Sequence, residues 1–337
     1  MINDFTYKKR PRLIAEISAN HNSSKQSFLK HILEANKAGA DYVKIQTYEP
    51  EDISINKNIK IKSGLWKGKN LWSLYSITHT PFEWHYNAFE LAKKNNIKLF
   101  STPFSIRAVK FLDQFKVDLY KISSFEITDL RLIDEIAKRK KLIIISTGNA
   151  TLAEIKNAKK IINKYHNKII ILHCVSDYPT KIQDANINNI LNLKKKFKEN
   201  LIGLSDHTEN ITSSLAATSL GVVAIEKHFI INKKMHSEDS QFSIDIEQFK
   251  KLKIETNNIF LSLGFNNIIF NKIDKKSIFY RRGIYAKSDI KKGDIFTKNN
   301  LITLRPKLGL GAENFFKILN KKSNANYRYL QPIKYKI

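Results

Sequence analysis

Disulfide bonding within the chain is excluded, because its 337 residues include a single cysteine, Cys174. A lone thiol fits a reducing compartment, and Cys174 lies in the apolar run KIIILHCVS, where burial is its expected role. Long apolar runs are missing too. The longest span a few residues, far short of the roughly 20 that cross a bilayer, and the polar opening MINDFTYKKRPR lacks the apolar centre of a signal peptide. A cytoplasmic protein without a membrane partner is therefore expected. Acidic residues are scarce: 31 Asp and Glu against 58 Lys and Arg leave a net charge of +27. Concentrated on one face, that excess would point to nucleic acid. The lysines instead fall in short clusters at 138–141, 159–160, 194–196 and 250–253, without interleaved aromatics or a nucleic-acid module. Solvated helix faces are expected, and no nucleic-acid partner, although a positive field would still draw an anionic ligand to a pocket.

What is present is a rhythm. With 42% hydrophobic residues the chain can bury one large core and leave a tail for a small second domain. Short β-branched runs at 12–18, 42–48, 97–104, 119–127, 141–148, 168–176, 201–208 and 223–230 alternate with longer helical patterns. Each run is nearly continuously apolar and turns polar at its end, as strands covered on both faces do. Eight of them, separated by helical segments such as 26–39, 82–96, 106–115, 130–139 and 151–165, predict an α/β fold, a (β/α)8 TIM barrel. Residues 49–80, with Trp66, Trp72 and Tyr75, are too many for a plain connection and are expected to overhang the barrel mouth. The eighth helix is expected over 245–263. The boundaries that follow are a barrel over 1–265, a polar linker over 266–279 and a small β-rich domain over 280–337, with a KKGD turn.

In a parallel barrel all C-terminal strand ends face one mouth, which is where such folds place their chemistry. The polar residues at those ends are Glu16, Ser18, Lys44, Gln46, Thr102, Lys121, Ser124, Glu126, Ser146, Ser176, Tyr178, Ser205, His207 and His228. His207 and His228 end consecutive strands, so they can point at a common metal ion, with Asp206 and Glu226 beside them able to orient an imidazole. Lysines inside apolar strands are costly to bury without a partner. Lys44 and Lys121 in one cavity therefore imply an anion, cradled by hydroxyls from other strands, or else internal ion pairs with Glu16 or Glu126. Charged groups in a barrel mouth argue for ligand chemistry over a passive binding role.

The stretches AEISANHN, VKIQTY, FSTPF, YKISSFEI, ISTG, LHCVSDYPT, GLSDHT and IEKHF, in this order, resemble the sialic-acid synthase (NeuB-like) family. Members of that family condense phosphoenolpyruvate with an N-acetylated amino sugar. The resemblance runs through the whole barrel, and RRGIYAKSDIKKGD with LRP is similar to the family's antifreeze-like (SAF) domain. Within the family, KIQTYEP, HTPFEWH and YKISSFEITDL resemble the pseudaminic acid synthases more than the N-acetylneuraminate synthases. The resemblance thus implies a carbon–carbon bond-forming transferase acting on 2,4-diacetamido-2,4,6-trideoxy-altrose, with N-acetylneuraminate or legionaminate synthesis as alternatives. A non-catalytic carbohydrate-binding protein is the alternative of another class.

Family roles carry over where the motifs match. His207 and His228 are implied as ligands of a divalent ion, manganese first, with magnesium or cobalt possible. Lys44, Thr102, Lys121, Ser124, Ser146, Ser176 and Ser205 match phosphoenolpyruvate positions, and Gln46, Tyr178 and Asp239 match sugar contacts. Glu16, Glu126 and Arg305 are the implied catalytic residues, with Glu126 as general base and Glu16 also toward the sugar. Arg305, in LRP, matches an arginine that reaches the N-acyl group from the small domain of a homodimer partner.

Overall fold

The computed structural model describes residues 2–264 and 272–337, and the chain divides into two compact units, Met1–Gly264 and Phe265–Ile337. In the first unit eight parallel strands close into a barrel in sequence order: β1 Arg12–Glu16, β2 Tyr42–Thr47, β3 Leu99–Pro103, β4 Leu119–Ile122, β5 Leu142–Ser146, β6 Ile169–Cys174, β7 Leu201–Asp206 and β8 Ala224–His228. β8 pairs with β1 over Arg12↔Ala224 to Glu16↔His228, which seals the ring. The expected α/β barrel is present.

Period-two alternation sorts each strand into two sets. One set, including Leu13, Ala15, Val43, Ile45, Ile143, Ile145, Ile171, Ile202, Leu204 and Ile225, packs with the surrounding helices in one buried cluster. The other fills the barrel floor with Ile14, Tyr42, Phe100, Leu119, Leu142, Ile144, Ile170, Leu172 and Ala224. Two residues further along each strand the inward set turns polar, and the site is built there. Helices are started by local chemistry: Ser24 accepts from the Ser27 amide ahead of Lys25–Lys37, and Thr151 and Glu154 form a reciprocal cap for Leu152–Asn163. The fourth run ends early at Ile122, and Phe125–Thr128 forms a 3-10 turn that carries Glu126. The insertion after β2 builds its own helices, Pro50–Ile53 and Leu71–Thr78, and the eighth barrel helix is Ile246–Leu263. Among the described residues no helix is long and apolar enough to cross a membrane.

The second unit holds an antiparallel pair, β9 Gly283–Ala286 and β10 Leu301–Leu304, over a core of Ile284, Ala286, Ile290, Phe296, Leu301, Ile318, Tyr327 and Ile333. Isolated bridges such as Tyr285↔Pro332 and Ile290↔Tyr327 extend the pairing into the tail. Of the span read as a linker, residues 266–271 lie outside the described residues, while Lys272–Ser277 is a short helix followed by a 3-10 turn, Ile278–Tyr280.

Barrel closure leaves no room at Gly203, an inward position of β7. A Cβ there would meet Leu172 Cδ2 at 2.5 Å and the Ala224 carbonyl oxygen at 2.7 Å. Gly203→Ala should therefore cost about 1–3 kcal/mol through overpacking. Thermal unfolding checks this, and an unchanged melting temperature would show that the β7–β8 seam can give.

Candidate active site

The polar ends of the inward rows surround a cavity of about 590 Å3 at the C-terminal mouth of the barrel. Its lining brings together Glu16, Lys44, Gln46, Thr102, Lys121, Ser124, Glu126, Ser146, Ser176, Tyr178, Ser205, His207, His228 and Asp239. Arg305 is not among them; it is exposed on the second unit.

Four buried charges form the floor. Lys44 Nζ lies 2.9 Å from Glu16 Oε2 and 2.8 Å from Glu226 Oε1, and Lys121 Nζ lies 3.5 Å from the same Glu226 oxygen. Lys121 also donates to Ser146 Oγ (2.7 Å), and Ser205 Oγ donates to Glu226 Oε1 (3.1 Å). Gln46 Nε2 donates to Glu16 Oε1 (3.1 Å) and Ser18 Oγ (3.0 Å). The two lysine charges are thus matched by two carboxylates within the protein, so internal ion pairs, the alternative to an anion, account for their burial. For Lys44 the partners are Glu16 and Glu226; for Lys121 the partner is Glu226, not Glu126. Burial lowers the Lys44 ammonium pKa against the pull of Glu226. Burial alone would raise Glu226, but Lys121 and Lys44 hold its carboxyl below the usual range, so it stays ionised.

The imidazoles of His207 and His228 face each other with ring centres 5.4 Å apart. Their orientation does not come from the acidic neighbours expected for it. Asp206 points to the helix side, where Ser214 and Thr208 donate to it, and Glu226 is taken up by the lysines. Instead His207 Nδ1 lies 2.8 Å from the Val175 carbonyl oxygen, a bond that requires Nδ1–H and leaves Nε2 as the ring's lone-pair nitrogen. His228 Nδ1 is buried without a hydrogen-bond partner, 3.7 Å from Asp239 Oδ2. Burial, with His207 and Lys44 nearby, pushes His228 well below its usual range and so keeps it neutral, as a ligand must be. Among the described residues no group of three or more His, Cys, Asp and Glu is arranged to hold a metal. Two facing imidazoles, one with an orphaned nitrogen, fit a borderline divalent cation that keeps open positions for oxygen ligands. Against the lowering effect of burial, Cys174 and the Val175 carbonyl raise His207, so a cation there would displace a proton from it.

Cys174 is buried as expected, yet it lines the cavity, 3.4 Å from Ser124 Oγ and 3.9 Å from His207 Nδ1. The insertion after β2 supplies Trp66 and Tyr75 to the wall; Trp72 is not part of it. Trp66 packs at 5.8 Å from Tyr178 and 6.0 Å from Phe242. Phe242, Tyr48, Phe104 and Phe125 also line the cavity and escaped the sequence analysis. Tyr48, Phe104 and Phe125 fall within the strand runs but are apolar where only polar ends mark the mouth, and Phe242 sits on the connection after β8. Thr102 Oγ1 and Glu226 Oε2 are buried without hydrogen-bond partners, so the cavity presents unmatched acceptors as well as hydroxyls.

A closed parallel barrel with ion-paired lysines, hydroxyls and facing histidines at its C-terminal mouth has the layout of a barrel enzyme, with its polar groups gathered at the strand ends. The chain belongs to the NeuB family, whose model matches residues 31–267. It is 39% identical to the pseudaminic acid synthase of Campylobacter jejuni subsp. jejuni over 99% of this chain and 98% of that protein. It is 40% identical to the pseudaminic acid synthase of Helicobacter pylori over 93% and 94%. An N,N'-diacetyllegionaminic acid synthase of Campylobacter jejuni is 36% identical over 95% of this chain and 98% of that protein. Among solved structures, the N-acetylneuraminic acid synthetase of Leptospira borgpetersenii, in complex with citrate, aligns with a TM-score of 0.73 at 30% identity, covering 80% of this chain and 91% of that one.

Glu126 offers a test of the cavity's polarity. It opens partly to the cavity, and a short hydrogen bond from Ser123 reaches it, but burial pushes its carboxyl up to about 7 with Lys121 opposing. In the folded protein it is protonated at pH values where the unfolded chain has already ionised. The unfolded state then binds fewer protons, so this group removes stability as pH rises from about 4.5 to about 7 and no further above that. Against Glu126→Gln, the parent should lose roughly 1–3 kcal/mol across that window. Parallel melting curves at pH 5 and 8 check this; a constant difference would mean Glu126 ionises as in water.

Proposed function

We propose that the chain is a pseudaminic acid synthase, condensing phosphoenolpyruvate with 2,4-diacetamido-2,4,6-trideoxy-altrose to give a nine-carbon nonulosonic acid and phosphate. The observation that carries this reading is near full-length similarity to two pseudaminic acid synthases, supported by a mouth lined by the barrel residues proposed for the chemistry. Lys44 and Lys121, with Thr102, Ser124, Ser146, Ser176 and Ser205, hold the phosphate and carboxylate of phosphoenolpyruvate. Glu16, Gln46, Tyr178 and Asp239 orient the open-chain sugar so that its aldehyde carbon faces C3 of the enol. His207 and His228 would hold a divalent ion, manganese first, which supplies Lewis acidity toward a carbonyl oxygen. Bond formation from C3 leaves positive character at C2, which Glu16 and Glu226 stabilise from the floor. Glu126, poised at about 7, takes a proton from the water that adds at C2, and the tetrahedral species expels phosphate. The wall of Trp66, Tyr48, Phe242, Leu71 and Leu74 offers apolar surface to the methyl groups of a deoxy, diacetamido sugar.

One assay tests the reading: phosphate release from phosphoenolpyruvate with the altrose, diacetamido-mannose and N-acetylmannosamine acceptors, with and without chelator. The altrose should turn over with manganese and stop after chelation, and His207→Ala should be inactive yet folded. Preference for either mannose-configured sugar would move the chain to legionaminate or N-acetylneuraminate synthesis. Full activity in chelator would remove the metal from the mechanism, and no release with any acceptor would favour a non-catalytic role.

The second unit is proposed to be a SAF domain that serves a partner subunit in a homodimer, bringing Arg305 to the sugar's N-acyl group. Its hydrophobic core is small, and a basic residue exposed on such a unit does most when it completes a site. His207→Ala and Arg305→Ala, each inactive, should recover part of the activity after subunit exchange, because some hybrid sites lack both lesions. Heterodimers seen by mass spectrometry without recovered activity would place Arg305 outside the partner's site.

A further inference from the structure

The helix-facing set of the barrel strands is overwhelmingly aliphatic, and one charged pair interrupts it between β7 and β8. Asp206 and Lys227 are register partners on these strands, with side chains 1% and 0% exposed and Lys227 Nζ 3.2 Å from Asp206 Oδ2. Each directly precedes one of the two facing histidines. Every lone pair of the carboxylate is used. Oδ1 accepts from the Thr208 amide (2.9 Å) and hydroxyl (2.8 Å), and Oδ2 accepts from Ser214 Oγ (2.6 Å). Lys227 reaches across the seam to the Thr208 carbonyl oxygen in a short hydrogen bond and lies 3.4 Å from its hydroxyl. The His207 carbonyl oxygen, in turn, accepts from the Thr180 amide at 3.0 Å.

A buried ion pair is weak support for stability, since well-packed apolar replacements are often neutral or stabilising. What this pair does is geometric. It ties the backbone at Thr208, just past the end of β7, to the residue just before His228, on β8, so neither strand end can shift without the other. We propose that Asp206 and Lys227 are positioning residues that, through the backbone of the two strand ends, set the separation of His207 and His228. The proposal rests on reading those histidines as the ligands of a divalent ion. They act through the histidines and touch neither substrate nor the reacting atoms.

The test uses the full-length metal-free enzyme titrated with Mn2+ by calorimetry, with His207→Ala as the control that removes the site. In K227M the Asp206 carboxylate keeps its three neutral donors, and in D206N/K227M both buried charges are gone while shape is kept. The double variant should melt within a few degrees of the parent but bind Mn2+ about 10-fold more weakly, the low end of what losing a group that directly orients a ligand costs, because the pair acts through the backbone. A double variant that folds and binds Mn2+ as the parent does, or that fails to fold, overturns the proposal, because the pair would then be passive or purely structural. If the parent itself binds no Mn2+, the metal reading fails separately. The 15N spectrum of the His207 ring in the metal-free protein then decides: a moved Nδ1 resonance in the double variant supports positioning, and an unchanged one overturns it.

Discussion

Glu226 is the point on which the mouth of the barrel turns. Its one oxygen, Oε1, is shared by Lys44, Lys121 and Ser205, so residues from β2, β4, β7 and β8 converge on a single atom. Removing two ammonium groups and two carboxylates from water costs several kcal/mol per ion, of order 5 or more. Strand pairing and the apolar layers below offset that. Because each charge is held by its opposite and by hydroxyls, the floor is a rigid array of dipoles already aimed at the cavity. Such preorganisation is what lets an enzyme stabilise developing charge without reorganising at the moment of reaction. Remove the Glu226 carboxylate and Lys44 keeps Glu16, but Lys121 is left buried without a carboxylate partner.

The sequence shows much of this layout because the barrel repeats one rule eight times. Along each strand the inward parity reads apolar, then polar: Ile14 then Glu16, Tyr42 then Lys44, Leu119 then Lys121, Ala224 then Glu226. Once eight runs are recognised, every polar residue at a strand end is assigned to one mouth. That is why the histidines, the lysines and the serines could be gathered before any coordinates.

Partners were harder to read than positions. A strand pattern says which face a side chain takes but not how far a lysine reaches, so an internal pair with Glu16 or Glu126 is legible only as the alternative to an anion, and Glu226 as the shared partner of Lys44 and Lys121 is not legible at all. Parity does explain the error over Asp206. Next to His207 in sequence, it must face the opposite side, and it binds Ser214 and Lys227 there. Glu226 fails for the same reason only in part. It shares the face of His228 but lies one layer lower, within reach of the lysines. Cys174, read as core, takes the inward parity of β6 at the polar level and so belongs to the mouth. The aromatic wall obeys no such rule, because Trp66 and Phe242 arrive on connections whose path depends on tertiary packing.

That division between strand-borne floor and connection-borne wall separates two demands on the site. Charge placement tolerates little error, and strands locked by ladders on both sides hold it within a fraction of a hydrogen-bond length. Shape selection among sugars that differ in a methyl, an acetamido group or one stereocentre needs surface that can change without disturbing the charges. The insertion after β2, with its own helices Pro50–Ile53 and Leu71–Thr78, would meet that need on the proposed reading: it brings Trp66, Leu71, Leu74 and Tyr75 to the cavity while contributing none of the floor's ion pairs. Apolar contact discriminates weakly, about 1–3 kcal/mol per methylene, whereas a buried polar group left unmatched by the wrong substrate discriminates strongly. On the proposed reading, acceptor choice would depend less on the aromatic wall than on the few polar atoms set against it, Asp239 and Gln46 foremost. These lie where wall and floor meet, and a change of sugar would have to be accommodated there.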